Sequence, residues 1–405
     1  MSRQIEHFSP ETVRHGKKAI LQLDVNTAAV CNQNSSTVNI SEFLKFDIWR
    51  KKNMASKVST SKNANVEQKG NQALIAGFDI GNGYIKFVSD DRRIRFPSYL
   101  ENCYYRPVDV PPFGFVEYLE GDIYSHLDYK QWLSGYAAYD ANPKNHLRVT
   151  DDSTAKVTQA LKHLLAVLSH YPYKALFNLY LCASLHERGD LESDLIAAIS
   201  GRHVVKFGQK ICPSEVNIQV LKVYDEGHAA VAANAHKLDL SKQNVVIDIG
   251  NRTIIATLVG SQGHLANRKT FDNGVEELIR MISVNPKFKN ELMGEVAIAH
   301  LIRQGIENDF WYGKEFSFKD IYDIELMPWV QKSLAPVLKF IHPWKINASS
   351  CLVIGGGCQL PSVTDALKSK GFVIADEPSW TNALGLGKLA NLLYAKEKEN
   401  ALPEG

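Results

Sequence analysis

The sequence lacks any run approaching the roughly 18 apolar residues that a membrane-spanning helix needs. Its opening residues, Met1-Ser-Arg-Gln-Ile-Glu-His7, lack the apolar core of a secretory signal. Neither a membrane span nor secretion is therefore expected. Its six cysteines form no CxxC pair, and Cys182 and Cys351 sit inside apolar, strand-like runs. That pattern predicts reduced, buried thiols and a cytoplasmic protein. Thirteen histidines form no HExxH and no cluster at metal-ligand spacing, and there is no GxSxG. His126, His163 and His186 read as core or surface histidines rather than catalysts. No charge of one sign dominates: 46 Lys and Arg stand against 44 Asp and Glu, a net of +2. This excludes a global basic field of the kind that coats nucleic acid or an anionic membrane. With 45% hydrophobic and 22% charged residues, a mainly disordered or fibrous chain is also excluded.

What is present is a chain of 405 residues, long enough for two or three domains with sizeable cores. Its charge is uneven: residues 1–72 carry a net +5 and the remainder a net −3. Residues 51–72 are small, polar and without a hydrophobic period, which predicts a linker or disordered lead. Residues 1–72 are thus expected to be disordered or an extension, and Met54-Ala-Ser offers an alternative start. A short N-terminal module is the other reading of residues 1–53.

Ordered sequence begins at Leu74. Leu74–Asp79, Tyr84–Ser89 and Arg93–Pro97 read as an antiparallel meander, with Asn82-Gly83 as a hairpin turn whose residues accept positive φ. This differs from the strand–loop–helix of a dinucleotide or P-loop site. Residues 99–150, rich in Tyr, Pro and Gly, suggest an inserted subdomain. Thr154 to His170 reads as an amphipathic helix with Val157, Leu161, Leu164, Leu165 and Leu168 on one face. A buried strand from Ala175, a helix from Leu191 to Ile199, strand-like sequence to Tyr224 and an Ala-rich helix over 226–237 follow. The pattern then restarts. Strands at 244–249 and 253–259 precede largely helical sequence from Gly274 to Trp344. Cys351-Leu-Val-Ile runs into a glycine triplet, and a last helix spans about Thr381 to Lys396.

Phe78-Asp79-Ile80-Gly81-Asn82 is echoed by Ile247-Asp248-Ile249-Gly250-Asn251. Each copy ends an apolar strand and precedes a second one. A tight turn in that place aims successive backbone N–H groups into a concavity that suits phosphate. Lys86 can return a positive charge to the β- or γ-phosphate. Asp79 and Asp248 would repel bare phosphate, but they suit a Mg²⁺ ion held through waters. Two opposed hairpins would clamp a triphosphate between two domains. Taken singly, each copy also reads as an ordinary hairpin. Asp225 and Glu226 sit where a strand turns into a helix. One of them could orient a water for attack on a γ-phosphate, or both could simply favour the helix N-terminus. Gly355-Gly356-Gly357 lets a flat base or ribose approach the backbone, or forms a plain tight turn.

Taken in order, these segments resemble the actin-like ATPase superfamily. Asp79–Lys86 is similar to its first phosphate motif, Glu226–Ala230 to its first connecting helix and Asp248–Thr253 to its second phosphate motif. Gly355–Gly357 is similar to its adenosine motif and Asn382-Ala-Leu-Gly385 to its second connecting helix. Within the superfamily the likeness is greatest to ParM-type, plasmid-segregating prokaryotic actins, and it covers about Leu74 to Ala395. It implies an α/β, ribonuclease H-like fold duplicated into two domains around a nucleotide cleft. Domain I would span 73–243 with an inserted subdomain at about 99–150. Domain II would span 244–396 with a helical insertion at about 275–345, leaving a tail at 397–405. It further implies a Mg²⁺-dependent ATPase that assembles filaments with its own copies and reaches DNA through an adaptor protein, without direct nucleic-acid or membrane binding. By the same likeness Glu226 would position the attacking water, and Asp79 and Asp248 would hold Mg²⁺ through waters. Lys86 and the turns of Gly81, Asn82, Gly83, Gly250, Asn251 and Thr253 would bind phosphate, and Gly355, Gly356 and Gly357 would face the nucleoside. Asn82 stands where relatives often carry Ser or Thr, and Asn251-Arg252 replaces a Gly-rich continuation; Arg252 would either add charge near phosphate or point to solvent. A small-molecule kinase or phosphatase of the same fold is the alternative, with Asp225 as its spare base. An Hsp70-like chaperone would need more chain after Asn382, and a non-hydrolysing pilus-assembly scaffold would be indifferent to Glu226→Ala.

Overall fold

The computed structural model describes residues 73–152 and 154–400. The expected lead, linker and alternative start within 1–72 lie outside the described residues, as does Cys31.

In chain order the strands are β1 (Leu74–Ile80), β2 (Tyr84–Ser89), β3 (Arg93–Pro97), β4 (Tyr99–Cys103), β5 (Phe115–Gly121), β6 (Gln131–Ser134), β7 (Leu147–Arg148), β8 (Leu176–Leu185), β9 (Gly201–Phe207) and β10 (Ser214–Asp225). They continue as β11 (Asn244–Ile249), β12 (Ile254–Val259), β13 (Leu265–Phe271), β14 (Trp311–Tyr312), β15 (Phe316–Ser317), β16 (Ser350–Ile354) and β17 (Val373–Ile374). The first ten form one sheet in the order β3-β2-β1-β8-β10-β9-β5-β6-β4-β7, and a second sheet runs β13-β12-β11-β16-β17. Each sheet opens with an antiparallel hairpin, β1–β2 or β11–β12, and continues in parallel, β1 with β8 and β10, β11 with β16. The two halves thus repeat one plan, in which the ends of the parallel strands gather the polar residues. Ligands collect at such carboxyl ends because the inner faces of the sheet are filled with apolar side chains.

Those inner faces build two main cores. Phe78, Ile80, Phe87, Leu164 and Leu179 pack around the first sheet, and Ile247, Ile249, Phe288, Tyr322 and Trp329 around the second. The stretch 99–150 supplies β4 to β7 and is joined to the first sheet through β5 and β9.

Several local expectations differ from what is observed. The helix expected from Thr154 to His170 is two pieces, Ala155–Thr158 and Ala160–Leu168, and the second is buried almost all round rather than on one face. The helical run after Gly274 is interrupted by the β14–β15 hairpin. β13 follows no hydrophobic period, because it is an edge strand held by β12 with most of its side chains outside the core. The last helix runs Thr381–Asn400, so it extends into the segment expected to be a tail from 397.

Candidate functional site

The strand ends of both sheets face one cleft of about 490 Å³. From the first sheet come Asp79, at the end of β1, and Gly81, Asn82, Gly83 and Lys86 from the β1–β2 hairpin. Glu226 follows β10, its N–H donating to the carbonyl of Leu185 at 3.0 Å. From the second sheet come Asp248, Gly250, Asn251 and Thr253, with Gly355, Gly356 and Gly357 after β16. All the expected site residues therefore line a single cavity.

The two turns meet across it. A Cβ placed on Gly83 would stand 3.1 Å from the Cβ of Asn251. Neither Asn82, Gly81, Gly83 nor Gly250 has a positive φ, contrary to the turn type expected for Asn82-Gly83. Crowding is what demands glycine here. A Cβ on Gly81 would lie 2.6 Å from the Tyr84 carbonyl oxygen, and one on Gly250 would lie 2.9 Å from that of Thr253, the equivalent position in the other half.

The glycine triplet divides its work. Gly355 has φ +87 and leaves no room for a Cβ, which would lie 2.3 Å from Asp248 Oδ1. Gly357 is packed against Ile249 and Val275, whereas Gly356 has open space where a side chain would be. Gly356 is thus the member that leaves the cleft wall bare.

The floor is a set of partly compensated charges. Lys86 Nζ donates to Asp79 Oδ2 at 3.1 Å, while Asn382 Nδ2 and Ser184 Oγ donate to Oδ1 at 2.9 and 3.3 Å. Burial alone would raise the Asp79 carboxyl, but Lys86, the Asn382 amide and the more distant Lys156 together hold it below the usual carboxylate range. Asp248 has no such donors among the described residues. Burial first, and the Glu226 carboxylate second, push it up to about 7 against the pull of Lys86 and Lys156. Glu226 itself is buried and ion-paired with Lys156.

Other walls come from residues that sequence patterns did not single out. Lys156, Arg95, Arg303 and Glu307 line the cleft, with Ile255, Ile306, Leu360 and Pro361 as an apolar face beside the triplet. Arg95 lies over the Tyr84 ring, 3.8 Å from its centre, and donates to Glu307 at 3.3 Å. Arg303 donates to Asn251 Oδ1 at 2.9 Å, and the Asn251 amide donates to Glu276 at 3.1 Å. No local motif marks these residues: Arg95 apart, which also meets Tyr84, the polar partners of Lys156, Arg95, Arg303 and Glu307 lie 52 or more positions away.

The neighbouring residues meet their expectations unevenly. Arg252 follows the solvent reading: it is exposed, is not among the cleft walls and donates to the carbonyl of Thr150 at 2.7 Å. Asp225, the spare base of the kinase alternative, is not among the cleft walls; it accepts from Arg188 at 3.1 Å. Nor do Asp225 and Glu226 cap a helix, because the helix Ala229–Ala233 takes His228 as its N-cap.

A divalent cation fits this floor. Mg²⁺ commonly takes one or two carboxylates plus waters and substrate phosphate oxygens rather than an all-protein cage. Of the four carboxylates that line the cavity, Asp79 and Asp248 are the pair at the strand ends beside the two turns, and no cluster of three or more ligating side chains occurs among the described residues.

Comparison with known proteins gives the fold its place. Residues 77–228 match the family model of the actin-like proteins' N-terminal domain. No curated protein sequence matches the chain. Among solved structures, the archaeal actin homolog Ta0583 is similar with a TM-score of 0.64 and 17% identity, covering 79% of this chain and 99% of that one. Bacillus thuringiensis ParM with ATP gives 0.58 and 17%, covering 81% and 100%. A 15-stranded ParM filament from Clostridium botulinum gives 0.55 and 17%, covering 80% and 100%. The resemblance read from the motifs is met in both its parts, an actin-like fold and ParM proteins among its neighbours.

Proposed function

We propose, from the premise that this chain has the actin-like fold with an actin-like N-terminal domain, that it is an ATP-binding and ATP-hydrolysing protein that polymerises into filaments. Its two halves would be 73–243 and 244–396. The observation that carries this reading is the meeting of two equivalent hairpin turns, Gly81–Gly83 and Gly250–Asn251, across one cleft floored by Asp79, Asp248 and Glu226. Turn amides and Lys86 would hold the phosphates, Gly356 and the apolar face beside it the nucleoside. Mg²⁺, when bound, would neutralise phosphate charge beside Asp79 and Asp248. Glu226, at the end of β10, would accept a hydrogen bond from the attacking water and so orient it. The solved ParM neighbours, one bound to ATP and one a filament, support carrying nucleotide-dependent assembly to this chain. On the same likeness its role would be plasmid or DNA segregation through a DNA-binding adaptor.

The test is light scattering and phosphate release by the purified protein with Mg²⁺ and ATP, ADP or a non-hydrolysable ATP analogue, followed by electron microscopy. Triphosphate-dependent polymer and slow phosphate release are expected. Absence of polymer, with phosphate passed instead to a small hydroxylated substrate, would replace this reading with the kinase one.

A further inference from the structure

Lys156 has a place in the cleft that hydrogen-bonding geometry alone does not require. Its side chain is 3% exposed, and among the described residues its ion-pair partner is Glu226. Burying an ammonium is costly unless it is paired, so its position must be held by something that gains from it. It enters the cavity from the short helix Ala155–Thr158, on the wall of the first sheet. An ammonium carries three donors, and Glu226 uses one of them. It lines the same cavity as Asp79 and Asp248, and its charge acts on both.

The cleft also has a direction. The glycine triplet follows β16 of the second sheet, while Glu226 follows β10 of the first sheet and Lys156 lies on the helix Ala155–Thr158. With Glu226 orienting the water that attacks the outermost phosphate, as proposed above, that phosphate comes next to Glu226 and its partner Lys156. Left alone, a carboxylate there repels that phosphate. Lys156 removes the repulsion and offers free donors at the same point.

We propose that Lys156 is the residue by which the cleft distinguishes a nucleoside triphosphate from a diphosphate. In the nucleotide-free protein it is paired with Glu226. When a γ-phosphate arrives, the ammonium bridges phosphate and carboxylate, and Glu226 stays beside the phosphate instead of being driven from it. Lys86, paired with Asp79 at the hairpin, serves the inner phosphates and responds to both nucleotides alike. This inference rests on the nucleotide reading given above and adds to it the source of discrimination.

The test is a competition titration against a fluorescent nucleotide. It uses the full chain with Mg²⁺, at protein concentrations where light scattering stays flat, and compares ADP with a non-hydrolysable ATP analogue. In K156M the triphosphate should bind roughly 10- to 100-fold more weakly, the worth of a charge-assisted hydrogen bond to phosphate. ADP affinity should stay within about threefold. K156R should recover most of the preference, because a guanidinium keeps the charge and donors. K156M leaves Glu226 as an unpaired buried carboxylate, so K156M/E226Q is the folded control, and it should lack the preference too. E226Q alone keeps Lys156 and should retain it. Equal weakening of both nucleotides in K156M/E226Q, or of neither, overturns the inference while leaving the cleft a nucleotide site. Wild-type protein that binds both equally overturns it as well. Wild-type protein that binds neither overturns the nucleotide reading and this inference with it.

Discussion

Glu226 is placed by backbone, not by its own side chain. Its N–H is bonded to Leu185 at the end of β8, so the carboxylate is aimed into the cleft by the register of two parallel strands, and Lys156 fixes its rotamer. A carboxylate so held can orient a water, but it contributes little to binding an anion. Glu226→Gln is therefore expected to bind ATP about as well as wild type while turnover falls roughly 100-fold, the usual worth of a positioned general base. Phosphate release under saturating ATP, set beside equilibrium binding, checks this; turnover within about threefold of wild type would remove Glu226 from the chemistry. Asn382 acts at the same scale but on Asp79. Its amide bonds Asp79 and Ser184, and its Oδ1 is buried without a partner. The side chain that reaches β1 from the last helix thus also has an acceptor to offer within the cleft.

At the scale of elements, the two segments read as connecting helices pack directly on one another. Gly385, in the helix Thr381–Asn400, lies so close to the helix Ala229–Ala233 that a Cβ would stand 1.8 Å from the Ala229 carbonyl oxygen. Backbone cannot give way there as the end of a flexible side chain can. Gly385→Ala should cost about 1–3 kcal/mol or more of stability through overpacking, despite the gain in helix propensity. Urea unfolding with an unchanged m-value measures it; a variant as stable as wild type would show that the crossing is looser than described. The helix at Asn382–Gly385 was legible in the sequence, and so were the hairpins, because strands, turns and small-residue patterns are local; of the helix expected over 226–237, Ala229–Ala233 forms, after a turn through Glu226, Gly227 and His228. Lys156, Arg303 and Glu307 were not. They reach the cleft through the packing of whole elements, and nothing in Ala155-Lys-Val-Thr distinguishes a lysine facing the site from one facing water. The turn at Asn82-Gly83 shows a subtler gap: its glycine was legible, but the reason for it, the nearness of Asn251 in the other half, was not.

For the whole molecule, acid is the condition to which the fold should be most sensitive. Among the described residues burial lowers seven histidines, His146, His186, His203 and His228 and, furthest, three more. Burial, with Lys162 nearby, lowers His163 to about 3; burial with Lys210 and Arg92 lowers His170 to about 4; and burial with Arg303 and His146 lowers His300 to about 4. His163 accepts or donates at Nδ1 with Ser134 at 2.8 Å, while its Nε2 is buried without a partner. His300, on the helix Ala299–Glu307, bonds Tyr99 of β4 at 3.2 Å, so its loss of neutrality would strain that contact between the two halves. Each native value lies below the unfolded value near 6.5. The unfolded chain therefore binds more protons between pH 6.5 and 4, and stability falls as pH drops through that window. Each such histidine contributes a slope on the order of 1 kcal/mol per pH unit. Asp248, raised to about 7, takes up a proton in the folded state over the same window and offsets about one of these histidines, so the melting temperature should change little from pH 8 to 7 and fall, by the remaining histidines, below 6.5. His163→Gln should lower it at pH 8, yet flatten the descent between 6.5 and 4 by the share of one proton. A descent as steep in His163→Gln as in wild type would mean that carboxylates, not this buried imidazole, set the acid limit of the fold.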